Sequence, residues 1–173
     1  MFKQFTLKNY RTHQDTTINL FDIVLIIGSN NSGKSNFLSG ISYFASLVSR
    51  ANPESAKSKE VNGHNFYQHK HILSDNTTPI TFKCKWGNDE IDINYELQLY
   101  LANGSNVGCK EEIIITGQHE YKNTHGVDKF SNELLLRTIL QKEKLRFSRA
   151  IEDFFRDLAF VYYYNFQPSL LKG

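Results

Sequence analysis

The feature that most constrains the fold is a short apolar run that leads directly into a turn rich in glycine, serine and asparagine. Residues 23–27 read IVLII, and residues 28–35 read GSNNSGKS. A continuous apolar run of this length, β-branched at four of its five positions, predicts a strand covered on both faces, as in a parallel sheet. Beyond the turn, apolar residues recur at helical spacing until Pro53 limits the helix. They are Phe37, Leu38, Ile41, Phe44, Ala45 and Val48.

The turn itself fits the pattern G-x-x-x-x-G-K-[ST], the Walker A phosphate loop. Gly28 and Gly33 permit backbone angles and a close approach that a Cβ would hinder. The helix that follows directs free N–H groups and the positive end of its dipole at a phosphate. Lys34 would place its charge against the β- and γ-phosphates, and the Ser35 hydroxyl is a hard oxygen ligand suited to Mg²⁺. The strand–loop–helix context is the one that this motif requires.

Alternation of apolar and polar residues predicts an antiparallel β-meander over residues 79–116. The alternation is clearest over residues 80–86 and 91–101, and a third strand is predicted over 112–116. Short polar turns join these strands, and one face of such a sheet is expected to be wet. Residues 117–130 are polar and are predicted to form a loop.

Chain length and these patterns together predict one α/β unit with a mixed sheet, an antiparallel β-meander and flanking helices. The predicted parts are residues 1–51, with two opening strands, the phosphate loop and the first helix; 52–78, a polar insertion loop; 79–116, the meander; 131–160, a helical segment; and 161–173, a final strand and exit.

Composition excludes several classes of protein. The formal net charge is 20 − 18 = +2, so the charge balance does not itself argue for nucleic acid or an anionic membrane. The longest apolar run has five residues, far short of a membrane span, and no signal peptide is recognisable. Two cysteines, Cys84 and Cys109, exclude a disulfide-dense scaffold and are expected to be reduced. The sequence therefore predicts a cytoplasmic protein with no membrane partner.

Three segments carry a family resemblance. Residues 7–13 read LKNYRTH, residues 17–20 read TINL, and residues 26–36 read IIGSNNSGKSN. This opening resembles the N-terminal lobe of ABC-type ATPase heads of the SMC, RecF and OLD group, which are AAA-type P-loop ATPases. The paired asparagines look most like OLD-type and related phage-defence ATPases. The resemblance is specific over residues 5–50 and only topological over 79–166.

The resemblance implies a P-loop NTPase fold that binds ATP and Mg²⁺. Lys34 and Ser35 would be catalytic, and Ser35 and Gln167 would be metal ligands. Arg11 matches the arginine of the family's opening motif and would lie near the nucleotide phosphates. Gln118 competes with Gln167 for the role of the glutamine that senses Mg²⁺ and the attacking water, and either could be an ordinary exposed amide. The implied nucleotide-binding residues are Arg11, Gly28, Ser29, Asn30, Asn31, Ser32, Gly33, Lys34, Ser35, Asn36 and Gln167.

Two motifs that a complete head of this kind needs do not occur. A Walker B strand would be four apolar residues followed by Asp-Glu, and the sequence has none. The one stretch similar to the signature motif, residues 38–40, lies inside the predicted phosphate-loop helix. The chain therefore matches the first half of a head. An ATPase is expected for the complete head, whereas this chain alone is expected to bind more ATP than it hydrolyses.

The function implied by the resemblance couples Mg-ATP binding and hydrolysis to head dimerisation. The resemblance implies that this ATP-driven dimerisation acts on DNA or on a nuclease, in DNA repair or anti-phage defence. The implied partners are a second head or a larger oligomer, a nuclease or other effector, and DNA. Two alternatives stay open: a nucleotide-binding regulatory module without turnover, and a small-molecule P-loop kinase.

Two weaker clusters have ordinary explanations. His64, His69 and His71 could suggest a metal site, but no cysteine or acidic ligand accompanies them at a matching spacing. A solvated, histidine-rich loop is the favoured interpretation. Basic residues recur over 142–149, and acidic residues interrupt or follow them, which favours a solvated helical face over a DNA contact.

Overall fold

The computed structural model describes residues 1–48, 63–75, 77–102, 106–117, 120–127, 148–159 and 161. Helices and strands together build one α/β unit from these residues. In chain order the elements are β1 (Phe2–Tyr10), β2 (His13–Asn19), α1 (Lys34–Val48), α2 (Gly63–His69), β3 (Ile80–Gly87), β4 (Asp92–Leu101), β5 (Val107–Thr116), β6 (Tyr121–Val127) and α3 (Ser148–Ala159). No helix in these ranges is long and apolar enough to cross a membrane.

The six strands form one sheet in the order β2-β1-β3-β4-β5-β6. Every neighbouring pair is antiparallel, so the prediction of a mixed sheet is wrong for the part of the chain described here. Strands β3, β4 and β5 agree with the predicted meander. The meander then continues into β6, where a polar loop was expected. An edge strand is held by backbone pairing to one neighbour, so it can form without the apolar alternation that marks a core strand.

One face of the sheet packs against α1 and α3, and the other face is polar. The inward residues of the central strands are fully buried, as the alternating burial of β4 shows. On the polar face, an ion pair of 2.5 Å joins Lys83 to Glu96 on the neighbouring strand. Helix α3 contributes Phe154, whose ring packs edge-on against Trp86 and Tyr95. The hydrophobic core therefore lies between the helices and the inner face of the sheet.

Helix α1 lies unusually close to β1. A Cβ added at Gly40 would lie 2.6 Å from the Leu7 Cδ1 atom and 3.2 Å from a Tyr10 ring carbon. One turn further along, the Phe44 ring contacts the rings of Phe5 and Phe82, with centroids 5.3 and 5.8 Å apart. A glycine at this contact lets the helix axis approach the sheet. The position of the helix N-terminus is thereby tied to the first strand.

The predicted insertion loop over residues 52–78 contains a helix. Helix α2 occupies Gly63–His69, and residues 52–62 lie outside the described ranges. Phe66 is buried, and Tyr10 and Lys70 form an isolated β-bridge. The prediction of a loop is wrong for these residues because tertiary contacts to β1, rather than apolar periodicity, hold the helix in place.

The apolar run at residues 23–27 does not form the predicted strand. Ile23, Leu25 and Ile27 are 89%, 82% and 81% exposed, whereas Ile26 is half-buried. No hydrogen bond described for this structure uses the backbone of these residues. The prediction of a covered strand fails because none of the described strands lies beside them. Within the described part of the chain, the run is an exposed apolar patch whose backbone groups have no hydrogen-bond partner.

The two cysteine thiols are free and buried in the core. Burial raises the pKa of Cys84 well above its usual value and raises the pKa of Cys109 to about 12. A thiol with so high a pKa is not a nucleophile near neutral pH. The described C-terminal part of the predicted helical segment is α3, and residues 131–147 and 162–173 lie outside the described ranges.

Candidate phosphate-binding site

The loop of residues 28–33 is a tight turn whose backbone requires glycine at one end. Gly33 has a φ of +89°, and Asn31 has a φ of +67°, both in the left-handed region. Glycine adopts such angles without steric cost, and asparagine tolerates them better than most residues. A Cβ at Gly28 would lie 2.9 Å from the Ser32 Oγ atom. The backbone of this loop therefore favours glycine at position 33, and at Gly28 an added Cβ would require the Ser32 side chain to shift.

The Lys34 ammonium is hydrogen-bonded to three oxygen atoms of the loop. Its Nζ atom donates to the carbonyl oxygens of Gly28 and Ser29 at 2.7 and 2.6 Å, and to the Ser32 Oγ atom at 3.1 Å. All three contacts are exposed to solvent. Anionic phosphate oxygens are stronger acceptors for an ammonium than neutral carbonyls are. A phosphate chain can therefore replace these acceptors at little cost.

The start of α1 supplies the other requirements of a phosphate site. The helix begins at Lys34, and the carbonyl of Gly33 accepts its first helical bond, from the Phe37 N–H at 2.9 Å. The first N–H groups of a helix have no partner within the helix and attract anions. The first turn carries no acidic residue. Ser35 is exposed, and none of the described hydrogen bonds uses its hydroxyl. These features fit the phosphates of ATP, with Ser35 open to ligate Mg²⁺.

The turn between β1 and β2 is hydrogen-bonded to the N-terminal part of the same helix. The Arg11 Nη1 atom donates to Ser39 Oγ at 3.2 Å and to Asn36 Oδ1 at 3.4 Å. The Asn36 amide donates to Thr12 Oγ1 at 3.0 Å. Two of the predicted nucleotide-binding residues, Arg11 and Asn36, are thus brought together beside the loop. A contact of either with a nucleotide stays a prediction.

His13 is a site residue that the sequence did not single out. It is 8% exposed and lies between the opening hairpin and the phosphate loop. Its Nε2 atom lies 3.1 Å from the carbonyl oxygen of Gly33, and its Nδ1 atom lies 2.9 Å from Thr16 Oγ1. The ring also packs edge-on against Phe37. His13 ends the segment LKNYRTH, but the resemblance gives a role in that segment only to Arg11, and no periodicity identifies the histidine.

Arg11 also contacts His69, the last residue of α2. The Arg11 Nη2 atom lies 3.4 Å from His69 Nδ1, and the His69 ring stacks on the Tyr10 ring and packs at a tilt against the Tyr43 ring. A guanidinium has only donors, so Nδ1 must accept. Burial, followed by the positive charge of Arg11, lowers the pKa of His69 to about 4. This histidine is therefore an uncharged packing partner of the arginine near neutral pH.

The low pKa of His69 predicts a loss of stability in acid. The ordinary pKa of histidine is 6.5, so between about pH 6.5 and 4 the unfolded chain binds a proton that the folded chain does not. The contribution of His69 is fully present above this window and declines as the pH falls through it. Because the ring is partly exposed, we expect a loss of about 1–2 kcal/mol rather than the full linkage value. Urea unfolding at a series of pH values measures it.

His69→Phe is the informative variant because it keeps an aromatic ring without a titrating nitrogen. Its stability should change less than that of wild type between pH 6.5 and 4. His125→Gln, on the far edge strand β6, should keep the wild-type slope. An identical slope in wild type and His69→Phe would contradict the assignment.

The remaining predicted site residues lie elsewhere or outside the described ranges. Gln118 and Gln167 are both outside them, so their competition for the Mg²⁺-sensing role stays open. Among the described residues, no group of three or more histidine, cysteine or acidic side chains could hold a metal ion. Two members of the histidine cluster use their rings within the chain: His69 contacts Arg11 and Tyr43, and His71 Nδ1 accepts from the Leu73 N–H at 3.2 Å.

Comparison with known proteins bears on the same residues. No curated protein matches the chain. The AAA ATPase domain family matches residues 1–165, which include the loop, α1 and the whole sheet. This match supports an ATP-binding, ATPase-type function. Because it spans nearly all of the 173 residues, the chain belongs to the AAA ATPase domain family.

Proposed function

We propose that this chain is the ATP-binding N-terminal half of an ATPase head of the SMC, RecF and OLD type. In the complete head, Mg-ATP binding and hydrolysis would drive head dimerisation and act on DNA or a nuclease, in DNA repair or anti-phage defence. The observation that carries the proposal is the phosphate loop, with its left-handed Gly33 and the Lys34 ammonium at its mouth.

The roles of the residues follow from this geometry. The free N–H groups at the start of α1 would bind phosphate oxygens, and Lys34 would exchange its bonds to Gly28 and Ser29 for bonds to the β- and γ-phosphates. The Ser35 hydroxyl would ligate Mg²⁺, which supplies charge neutralisation at the phosphates when bound. Both effects stabilise negative charge that develops during phosphoryl transfer.

The exposed apolar patch of residues 23–27 supports the idea of a half-head. Its side chains are apolar on both sides, and none of the described hydrogen bonds uses its backbone, which suits the interior of a parallel sheet. Single apolar residues at a surface are common, but a contiguous apolar run marks an interaction site. A parallel strand from the rest of a head would pair with this backbone and cover these side chains.

A second candidate is a regulatory module that binds nucleotide without turnover. The observation that favours it is that no carboxylate contacts Lys34 or Ser35 in the described part of the site. None of the described hydrogen bonds or ion pairs of Lys34 and Ser35 involves an aspartate or glutamate. Hydrolysis requires a group that orients the attacking water, and the described part of the site does not hold one.

Turnover separates the two candidates. The full chain is titrated with Mg-ATP by calorimetry, and phosphate release is followed in parallel, with Lys34→Ala as the baseline. We expect binding together with slow hydrolysis that Lys34→Ala abolishes. Light scattering with and without ATP tests dimerisation. Binding with no phosphate release above the Lys34→Ala baseline would favour the regulatory module, and the absence of binding would contradict both candidates.

A further inference from the structure

We propose that His13 is a positioning residue for the phosphate loop. Through its bond to the Gly33 carbonyl, His13 helps to set the direction of the Lys34 backbone N–H. The inference rests on the proposed function, because its consequence is a change in phosphate binding. It does not make His13 a catalytic residue, because the side chain contacts the loop and is not proposed to contact the reacting atoms. Its contacts are to Gly33, Thr16 and Phe37.

The direction of one of the two hydrogen bonds of His13 is fixed by its partner. A carbonyl oxygen can only accept, so Nε2 must carry the proton that is donated to the Gly33 carbonyl at 3.1 Å. In the neutral ring, Nδ1 then accepts from the Thr16 hydroxyl at 2.9 Å. The Phe37 ring packs edge-on at a centroid distance of 5.7 Å. The imidazole is therefore held at both nitrogens and along its edge.

The geometry of the peptide bond transmits this contact to the binding face of the loop. In a trans peptide, the carbonyl and the following N–H point in opposite directions. The Gly33 carbonyl accepts from both His13 and the Phe37 N–H, and together these bonds direct the Lys34 N–H away from His13. That N–H is one of the first in α1 and has no partner within the helix. It is among the donors that a phosphate would use.

The need for such a support follows from Gly33 itself. Its φ of +89° lies in a region where glycine, with no Cβ, has several accessible orientations. A Cβ at this position would lie 3.1 Å from His13 Cε1 and 2.9 Å from Thr12 Oγ1, so the histidine fills the space that the glycine leaves. Arg11 and Thr12 of the same turn contact Asn36 and Ser39, further along α1. Of the three turn residues, His13 is the one whose described hydrogen bonds reach the phosphate loop.

A pair of amide substitutions separates this role from simple packing. The amide nitrogen of glutamine can occupy the place of histidine Nε2, whereas that of asparagine reaches only the place of Nδ1. His13→Gln should keep Mg-ATP affinity within about twofold of wild type. His13→Asn should weaken it by roughly five- to tenfold, because the Gly33 carbonyl loses its side-chain donor and keeps only the Phe37 N–H. Calorimetric titration with Mg-ATP gives the affinities, thermal unfolding confirms that both variants are folded, and His125→Gln should match wild type.

The outcomes distinguish this inference from the proposed function. Equal affinities for His13→Asn and His13→Gln, whether both unchanged or both weakened, would overturn the positioning role. If wild type fails to bind Mg-ATP, the proposed function fails instead. Should His13→Asn not fold, Thr16→Val removes the hydroxyl that orients the ring while keeping His13. Thr16→Val should then weaken Mg-ATP binding by roughly two- to threefold, and an unchanged Mg-ATP affinity in this variant would overturn the inference.

Discussion

Replacing Lys34 with alanine is expected to weaken Mg-ATP binding by roughly 30- to 150-fold, which corresponds to about 2–3 kcal/mol. The ammonium is the one side-chain cation hydrogen-bonded to the loop among the described residues. In the free protein its three acceptors are exposed, so water can replace the ammonium there at little cost. In the bound state no water could replace a charge-assisted bond to the β- and γ-phosphates. The effect should therefore fall on binding rather than on stability.

Calorimetric titration measures the affinity, and urea unfolding checks that stability is unchanged. Lys110→Ala is a matched control because Lys110 is an exposed lysine on β5, on the polar face of the sheet. It should bind Mg-ATP as wild type does. An unchanged affinity in Lys34→Ala would remove the basis for assigning the loop to phosphate. Equal losses in both lysine variants would indicate a general charge effect instead.

Replacing Phe44 with alanine is expected to lower the free energy of unfolding by about 3–5 kcal/mol. The side chain is fully buried, and its ring contacts those of Phe5, Phe82 and Tyr95. Truncation would leave a cavity between α1 and three strands, because close-packed surroundings relax only in part. The same contacts hold the helix that begins at the phosphate loop. We therefore expect nucleotide affinity to decline together with stability.

Leu38→Ala is the matched control on the same helix. Leu38 is 39% exposed, so its truncation creates little cavity and removes little buried area. The expected loss is below about 1 kcal/mol. Urea unfolding monitored by circular dichroism compares the two variants. Losses of similar size would mean that α1 is not anchored through Phe44.

Local patterns predicted the parts of this protein that follow from local chemistry. The helix beginning at Lys34, the opening strands and the three-strand meander each have a periodicity or motif in the sequence. The left-handed Gly33 follows from the Walker A pattern in the same way. In contrast, α2 and β6 have weak periodicity, and they form because neighbouring elements supply backbone partners and, for Phe66, a buried environment.

Tertiary structure alone decided how these parts meet. The sequence predicted a phosphate site at residues 28–35, since the residue types that the motif requires are contiguous there. It could not show that His13, 20 positions before Gly33, would donate to that glycine's carbonyl, because that contact depends on the angle between a hairpin and a helix. Nor could it show that residues 23–27 would be exposed. An apolar run indicates that its side chains are suited to burial, but it does not show which element covers them. Whether that burial is supplied depends on which strand lies beside it.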